Sequence, residues 1–157
     1  MKQPTLLRSL AFLLTMPLLA TSVHAQEQSI KRKDVPKTIL AAFEKTYPKA
    51  KIKGYAKEVE EGKTVYEVES VEGTVHRDIT YVADGSIVSI EESLPVNKLP
   101  DVIRSAAEKQ YPKSKISSCE KVTKGTIMQY ELVVTTGKQK HELVLNPDGT
   151  VAKTEKK

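Results

Sequence analysis

The chain repeats itself at a fixed interval, and that limits its fold more than any other feature. Laid on itself at an offset of 64 residues, the stretch from Val35 to Ser93 matches that from Leu99 to Lys157 at 17 of 59 positions without a gap. Composition alone gives roughly four or five. The matches fall where backbone geometry is demanding. Pro36 meets Pro100, Tyr47-Pro48-Lys49 meets Tyr111-Pro112-Lys113, Tyr66-Glu67 meets Tyr130-Glu131, and Asp84-Gly85 meets Asp148-Gly149. A chain built this way folds as two copies of one unit.

Each unit reads as a helix followed by strands. Val35, Ile39, Ala42, Phe43 and Tyr47 recur at helical spacing, as do Leu99, Ile103, Ala106, Ala107 and Tyr111. Pro36 suits a first helical turn, while Pro48 disfavours helical geometry at Tyr47, so the first helix stops near Thr46. After each Tyr-Pro the apolar period changes to two. In the first unit this predicts strands over Lys51 to Lys57, Thr64 to Ser70, Val75 to Val82 and Ser86 to Glu91. Glu61-Gly62, Gly73 and Asp84-Gly85 supply the turns between them, because glycine tolerates positive φ. The second unit repeats the pattern through Met128, Tyr130, Leu132 and Val134, then Leu143 and Leu145, then Val151. Its stretch from Ile127 to Val134 is apolar on both faces and predicts an internal strand. Hairpin connections make the sheet antiparallel. The fold class is therefore α+β: two tandem α-β-β-β-β units forming one sheet of about eight strands, with both helices on one face. One unit of this size buries only a marginal core, so two side by side are needed.

The chain opens with a segment that has the pattern of a leader. Lys2 and Arg8, the apolar stretch Leu10 to Ala20, too short and too interrupted to span a bilayer, and the closing Val23-His24-Ala25 read as a secretory signal peptide, residues 1–25. No cysteine directly follows the apolar stretch, which argues against a lipid anchor. Residues 26–34 read as a basic flexible tail, 35–93 as the first unit, 94–98 as a hinge and 99–157 as the second. The expected location is periplasmic or secreted, with no transmembrane segment.

Loss of Lys2 and Arg8 lowers the formal net charge from +5 to +3. With lysines spread rather than striped and no tryptophan, nucleic acid is a poor candidate partner. The cluster Lys31-Arg32-Lys33 reads as a solvated tail, with a membrane-surface or polyanion contact as the alternative. Cys119 is the single cysteine, so no intramolecular disulfide exists and stability rests on burial. A buried structural thiol is the first reading of Cys119, a reactive one the second. The units differ in charge, net −3 from Val35 to Ser93 and +4 from Leu99 to Lys157. That difference either orients a dipolar partner, favours self-association, or reflects drift between duplicated halves.

Alternation identifies a candidate binding surface. If Tyr66, Val68, Ile79 and Tyr81 face the helices, then Val65, Glu67, Glu69, Val71, His76, Asp78 and Thr80 face away. Ile127, Gln129, Glu131, Val133, Glu142 and Val144 do the same in the second unit. Such a face is either simply solvated or an interface core with a polar rim.

No catalytic constellation is assembled. His76 and His141 lie in different units, do not correspond at the offset, and have no His or Cys partner at metal-ligand spacing. Glu58, Glu60 and Glu61 beside a turn leave a loose calcium contact open, without an EF-hand loop. Glu67 and Glu69 share a face, but no apolar pocket is signalled around them. There is no phosphate-cradling glycine loop and no nucleophile elbow. The sequence thus predicts neither cofactor nor metal site and no enzyme.

"VPKTILAAFEKTYPKAKI", "YEVES" and "ADGSIVSIEE" in the first unit, with "LPDVIRSAAEKQYPKSKI", "YELVV" and "NPDGTVAKTE" in the second, resemble the exported PepSY-like, or β-lactamase-inhibitor-like, proteins. The resemblance covers the chain after the tail. It implies tandem units of a proline-initiated helix closed at Tyr-Pro and four antiparallel strands, with a glycine turn before the last. It also implies binding of an enzyme by the uncovered face of the sheet, or restraint of a protease. The disulfides of the namesake inhibitor are missing here, and Tyr55 and Cys119 stand near the first-strand positions where relatives often carry tryptophan. The expected function is that of a non-catalytic protein that binds or inhibits another envelope or secreted protein. The alternative is a periplasmic sensor or carrier of a small molecule or peptide.

Overall fold

The computed structural model describes residues 27–60 and 62–157. The expected leader, its cleavage site and Glu61 lie outside the described residues. Strand β1 (Gln28–Ser29) and a 3-10 turn (Arg32–Asp34) lead into helix α1 (Lys37–Thr46) and strands β2 (Lys51–Glu60), β3 (Lys63–Glu72), β4 (Val75–Val82) and β5 (Ile87–Ser93). A second 3-10 turn (Val96–Lys98) then opens helix α2 (Asp101–Gln110) and strands β6 (Lys115–Lys124), β7 (Ile127–Thr136), β8 (Gln139–Leu145) and β9 (Val151–Lys156). The nine strands among the described residues join one antiparallel sheet in sequence order. The ninth, absent from the sequence expectation, is the two-residue β1 on the edge of β2.

Helix boundaries follow the local chemistry. The carbonyls of Pro36 and Pro100 accept the first helical bonds, from Ile39 at 3.1 Å and Ile103 at 3.1 Å. At the other end, Tyr47 (φ −125, ψ 62) and Tyr111 (φ −131, ψ 80) have left helical geometry, as a following proline requires. Each tyrosine then reaches the sheet. The Arg77 guanidinium sits 4.9 Å above the Tyr47 ring, and at the offset-64 counterparts Tyr111 stacks on His141 at 4.7 Å.

Directly paired residues of an antiparallel sheet point the same way. Register carries one face from Val68 through Ile79, Ile90 and Thr123 to Met128, and alternation adds Leu132 and Val134 to it. Against that face α1 buries Ile39 and Phe43 on Val68, Ile79 and Tyr81. Further along, α2 buries Ile103 and Ala107 on Cys119, Leu132, Val134, Leu143 and Leu145. Cys119 is thus a buried free thiol, raised to about 11 by burial and then by the neighbouring Glu120. The strand expected to be apolar on both sides is internal, but its first residue, Ile127, is 61% exposed.

The bulges also fall at the repeat interval. Register shifts occur at Ile52/Gly54 and Ile116/Ser118, and again at Thr80/Tyr81 and Val144/Leu145. The Asp-Gly turns lean on the helices. Gly85 has φ +93, and a Cβ there would lie 3.0 Å from the Thr38 carbonyl oxygen. Any other residue would meet both αL strain and a backbone contact.

One buried group is unsatisfied: the hydroxyl of Tyr81, which has no hydrogen-bond partner among the described residues. Burial, and then Tyr47, push its pKa up to about 12. Tyr81→Phe removes the orphaned hydroxyl while keeping the ring, so a stability gain of about 1 kcal/mol is expected in urea unfolding. A loss of similar size would show that the hydroxyl is bonded in solution.

Candidate interaction face

The face away from the helices is populated by alternation along β2 to β9. Glu67 pairs with Ala56 and Thr80, Glu69 with Gly54 and Asp78, and Val71 with His76. Thr80 continues to Ser89, and Asp78 to Glu91. Across the junction of the halves Glu91 meets Val122 and Ser93 meets Glu120. Glu120 then pairs with Glu131 and Val122 with Gln129, while Glu131 meets Val144 and Val133 meets Glu142. Every site residue expected from the sequence therefore lies on this one face. Val65 does too, but it is only 3% exposed between its cross-strand neighbours Glu58 and Val82, so it offers a partner little surface.

Glu91, Glu120 and Glu58 are also on this face; the sequence pointed to Glu58 only as a residue beside a turn and did not single out the other two. Alternation about Ile90 was a signal for Glu91. The pairing of β5 with β6 carried none, because it joins strands separated by the turn Val96–Lys98 and α2.

The two faces handle charge differently. On the helix side Arg77 binds Glu92 at 2.7 Å and Glu72 at 3.1 Å, and Lys121 binds Glu92 at 2.8 Å. Burial raises the pKa of Glu92, but hydrogen bonds from Lys121 and Arg77 overcome this and hold it below its ordinary value. On the open side, cations gather near its ends. Lys124 approaches Glu60 at 3.8 Å, Lys157 binds Glu142 at 2.7 Å, and Lys153 binds Glu155 at 2.7 Å. None of the ion pairs among the described residues includes Glu67, Glu69, Asp78, Glu91, Glu120 or Glu131.

Crowded, partly desolvated carboxylates resist ionisation. Burial, followed by Asp78, pushes Glu67 up to about 7, and burial, followed by Glu131 and Glu120, does the same to Glu91. Asp78, Glu120 and Glu131 are raised as well, chiefly by burial. Glu27, Glu67 and Glu69 bring one oxygen each within 4.8 Å of one another. Gly54 admits this crowding, because a Cβ there would stand 2.7 Å from Glu69 Oε1. Gln129 Nε2 donates to Asn146 Oδ1 at 2.9 Å, which fixes its amide. His76 and His141 stay apart, since His76 pairs with Val71 on the open face while His141 stacks on Tyr111 against the helix side.

The family model described as beta-lactamase-inhibitor-like, PepSY-like matches residues 66–153. The chain belongs to the PepSY-like family. A second model, the peptidase propeptide and YPEB domain, matches residues 36–90. Among solved structures, this PepSY-like chain superposes on a protein described as periplasmic from Bacteroides eggerthii with a TM-score of 0.66 at 15% identity, covering 78% of this chain and 88% of that one. A DUF2874 family protein from Bacteroides ovatus gives 0.63 at 19% identity, with 78% and 87% covered. A BLIP-like protein from Bacteroides fragilis gives 0.62 at 18% identity, with 78% and 86% covered. At these identities the likeness is one of fold. No curated protein matches the chain.

Proposed function

We propose that this PepSY-like protein is exported, has no catalytic activity, and uses the open face of its sheet to bind, and in doing so restrain, another envelope or secreted protein. The observation that carries this reading is the row of carboxylates without ion-pair partners, from Glu67 and Glu69 through Asp78 and Glu91 to Glu120 and Glu131, on a face that no described helix covers. Holding like charges together in this way costs stability, and a partner that supplies counter-charges offsets that cost on binding. Valines 71, 122 and 133 lie among the carboxylates and give such a partner apolar contact. The family description and the periplasmic description of a structural relative support the same reading.

Affinity capture of envelope and secreted proteins on the immobilised chain from Gln26 onward tests this at two salt concentrations. A stoichiometric protein retained at low salt and released at high salt is the expected result. Glu67→Arg with Glu131→Arg, both on the open face, is expected to weaken that capture by tenfold or more, about 1.4 kcal/mol or greater. Capture unchanged by the double reversal would place the binding surface elsewhere.

A further inference from the structure

On the helix side, away from the acidic face, a groove of about 370 Å³ opens between the turn Val96–Lys98, α2 and the start of β6. Val96 and Ile116 line it and also pack against the buried core of the second half, so its apolar part is continuous with that core. Arg104, Lys113 and Lys115 line it as well, with Glu108 the single acidic residue. Arg104 donates to the Leu99 carbonyl at 3.2 Å, and none of the ion pairs among the described residues includes these three cations. Lys113 is held at φ 61, the single non-glycine residue with positive φ among those described. That conformation is disfavoured for a side chain with a Cβ.

The first half treats the corresponding place differently. Arg32, the counterpart of Val96, donates to Glu44 at 2.7 Å and to the Tyr55 hydroxyl at 3.0 Å. Glu44 and Tyr55 are the counterparts of Glu108 and Cys119, so in the first half a guanidinium of the chain spans turn, helix and first strand. In the second half that guanidinium is replaced by valine and the tyrosine by cysteine, while Leu40 is exchanged for Arg104. The first half keeps a groove of about 400 Å³ beside Arg32 and Leu40, but there Arg32 is tied to Glu44 and Tyr55; the second half loses that tie and gains a cation, Arg104.

We propose that this groove binds a small amphiphilic carboxylate, its anionic group held by Arg104, Lys113 and Lys115 and its apolar portion lying on Val96 and Ile116. The volume falls within the range of small-ligand sites, where apolar lining with a few convergent polar groups is the rule. Two sources share this chemistry, the free C-terminus of a peptide ending in an apolar residue and a medium-chain fatty acid.

The test is a titration of the chain with octanoate and with acetyl-Ala-Leu, each beside its uncharged amide, followed by methyl NMR of valine and isoleucine. Saturable shifts centred on Val96 and Ile116 are expected, with the amides bound about tenfold or more weakly. Response to octanoate identifies the fatty-acid source, and response to the peptide identifies the C-terminus. Val96→Arg sets a guanidinium beside Glu108 as Arg32 stands beside Glu44, covers the apolar floor, and is expected to abolish the Ile116 shifts. Lys113→Gly, compatible with positive φ, is an independent variant expected to weaken binding about tenfold. Glu67→Arg with Glu131→Arg lies on the other face and should leave this titration unchanged, so its outcome is separable from that of the partner-binding reading. The proposal is overturned if neither acid gives saturable shifts up to about 10 mM, if the amides bind equally well, or if Val96→Arg binds as the parent does.

Discussion

Phe43→Ala is expected to lower the free energy of unfolding by about 3–5 kcal/mol. Phe43 is 1% exposed and is the largest side chain that α1 sets against Val68, Ile79 and Tyr81. Its removal costs transfer free energy and leaves a cavity that a ten-residue helix pinned at Pro36 and Tyr47 has little freedom to close. The second half already carries alanine there, as Ala107, but compensates with larger residues in the sheet: Leu132 stands at the position of Val68 and Val134 at that of Ser70. Adding Val68→Leu and Ser70→Val to Phe43→Ala should therefore recover part of the loss. Urea unfolding measures both steps. A loss below about 1 kcal/mol for the single change would mean that α1 contributes little to the cooperative core.

The second large effect is a dependence on pH. Glu67 and Glu91 are each raised from 4.5 to about 7 in the folded chain. Between these values the unfolded chain has lost protons that the folded chain keeps, so stability falls as pH rises through this window. Both groups are partly exposed, and after solvent screening each contributes about 1–2 kcal/mol. Asp78, Glu120 and Glu131 act in the same direction. Glu142 and Glu92 act oppositely, but their pKa values are lowered, so their effect appears as pH falls through the ordinary carboxylate range. The protein should thus unfold at higher denaturant near pH 5 than near pH 7.5, and Glu67→Gln with Glu91→Gln should flatten the profile by raising the neutral end. A flat profile over the same interval would mean that these carboxylates are fully hydrated in solution, and a rising one that they are paired.

Much of the fold was legible because its punctuation is local. Proline before the helix, Tyr-Pro after it and Asp-Gly before the last strand each act on neighbouring residues, and the expected end of α1 at Thr46 and span of β4 from Val75 to Val82 match the structure. Strand ends were less visible. Strand β2 runs on to Glu60 because pairing with Thr64 and Lys63 holds polar residues that have no apolar alternation of their own. The two-residue β1 was invisible for the same reason, since only its partner strand makes it a strand.

The candidate face was legible to the extent that alternation is. Glu67, Glu69, Asp78 and Glu131 followed from it. Glu91 and Glu120 follow from the same alternation, about Ile90 and Cys119, and from pairing with Asp78 and Glu131; what alternation could not show is that β5 and β6 pair and bring the two into one row. The groove at Val96 escaped as well, since it depends on what Arg32 does in the first half rather than on any motif in the second.

The measurement closest to the central claim is carboxyl footprinting. Carbodiimide labelling of the chain alone and in complex with its captured partner would compare Glu67, Glu69, Asp78, Glu91 and Glu131 on the open face with Glu44 and Glu108 on the helices. Protection of the open-face carboxylates, with the helix carboxylates labelled as before, is the predicted result. Protection confined to Glu44 and Glu108 would contradict it and assign the interface to the helix side.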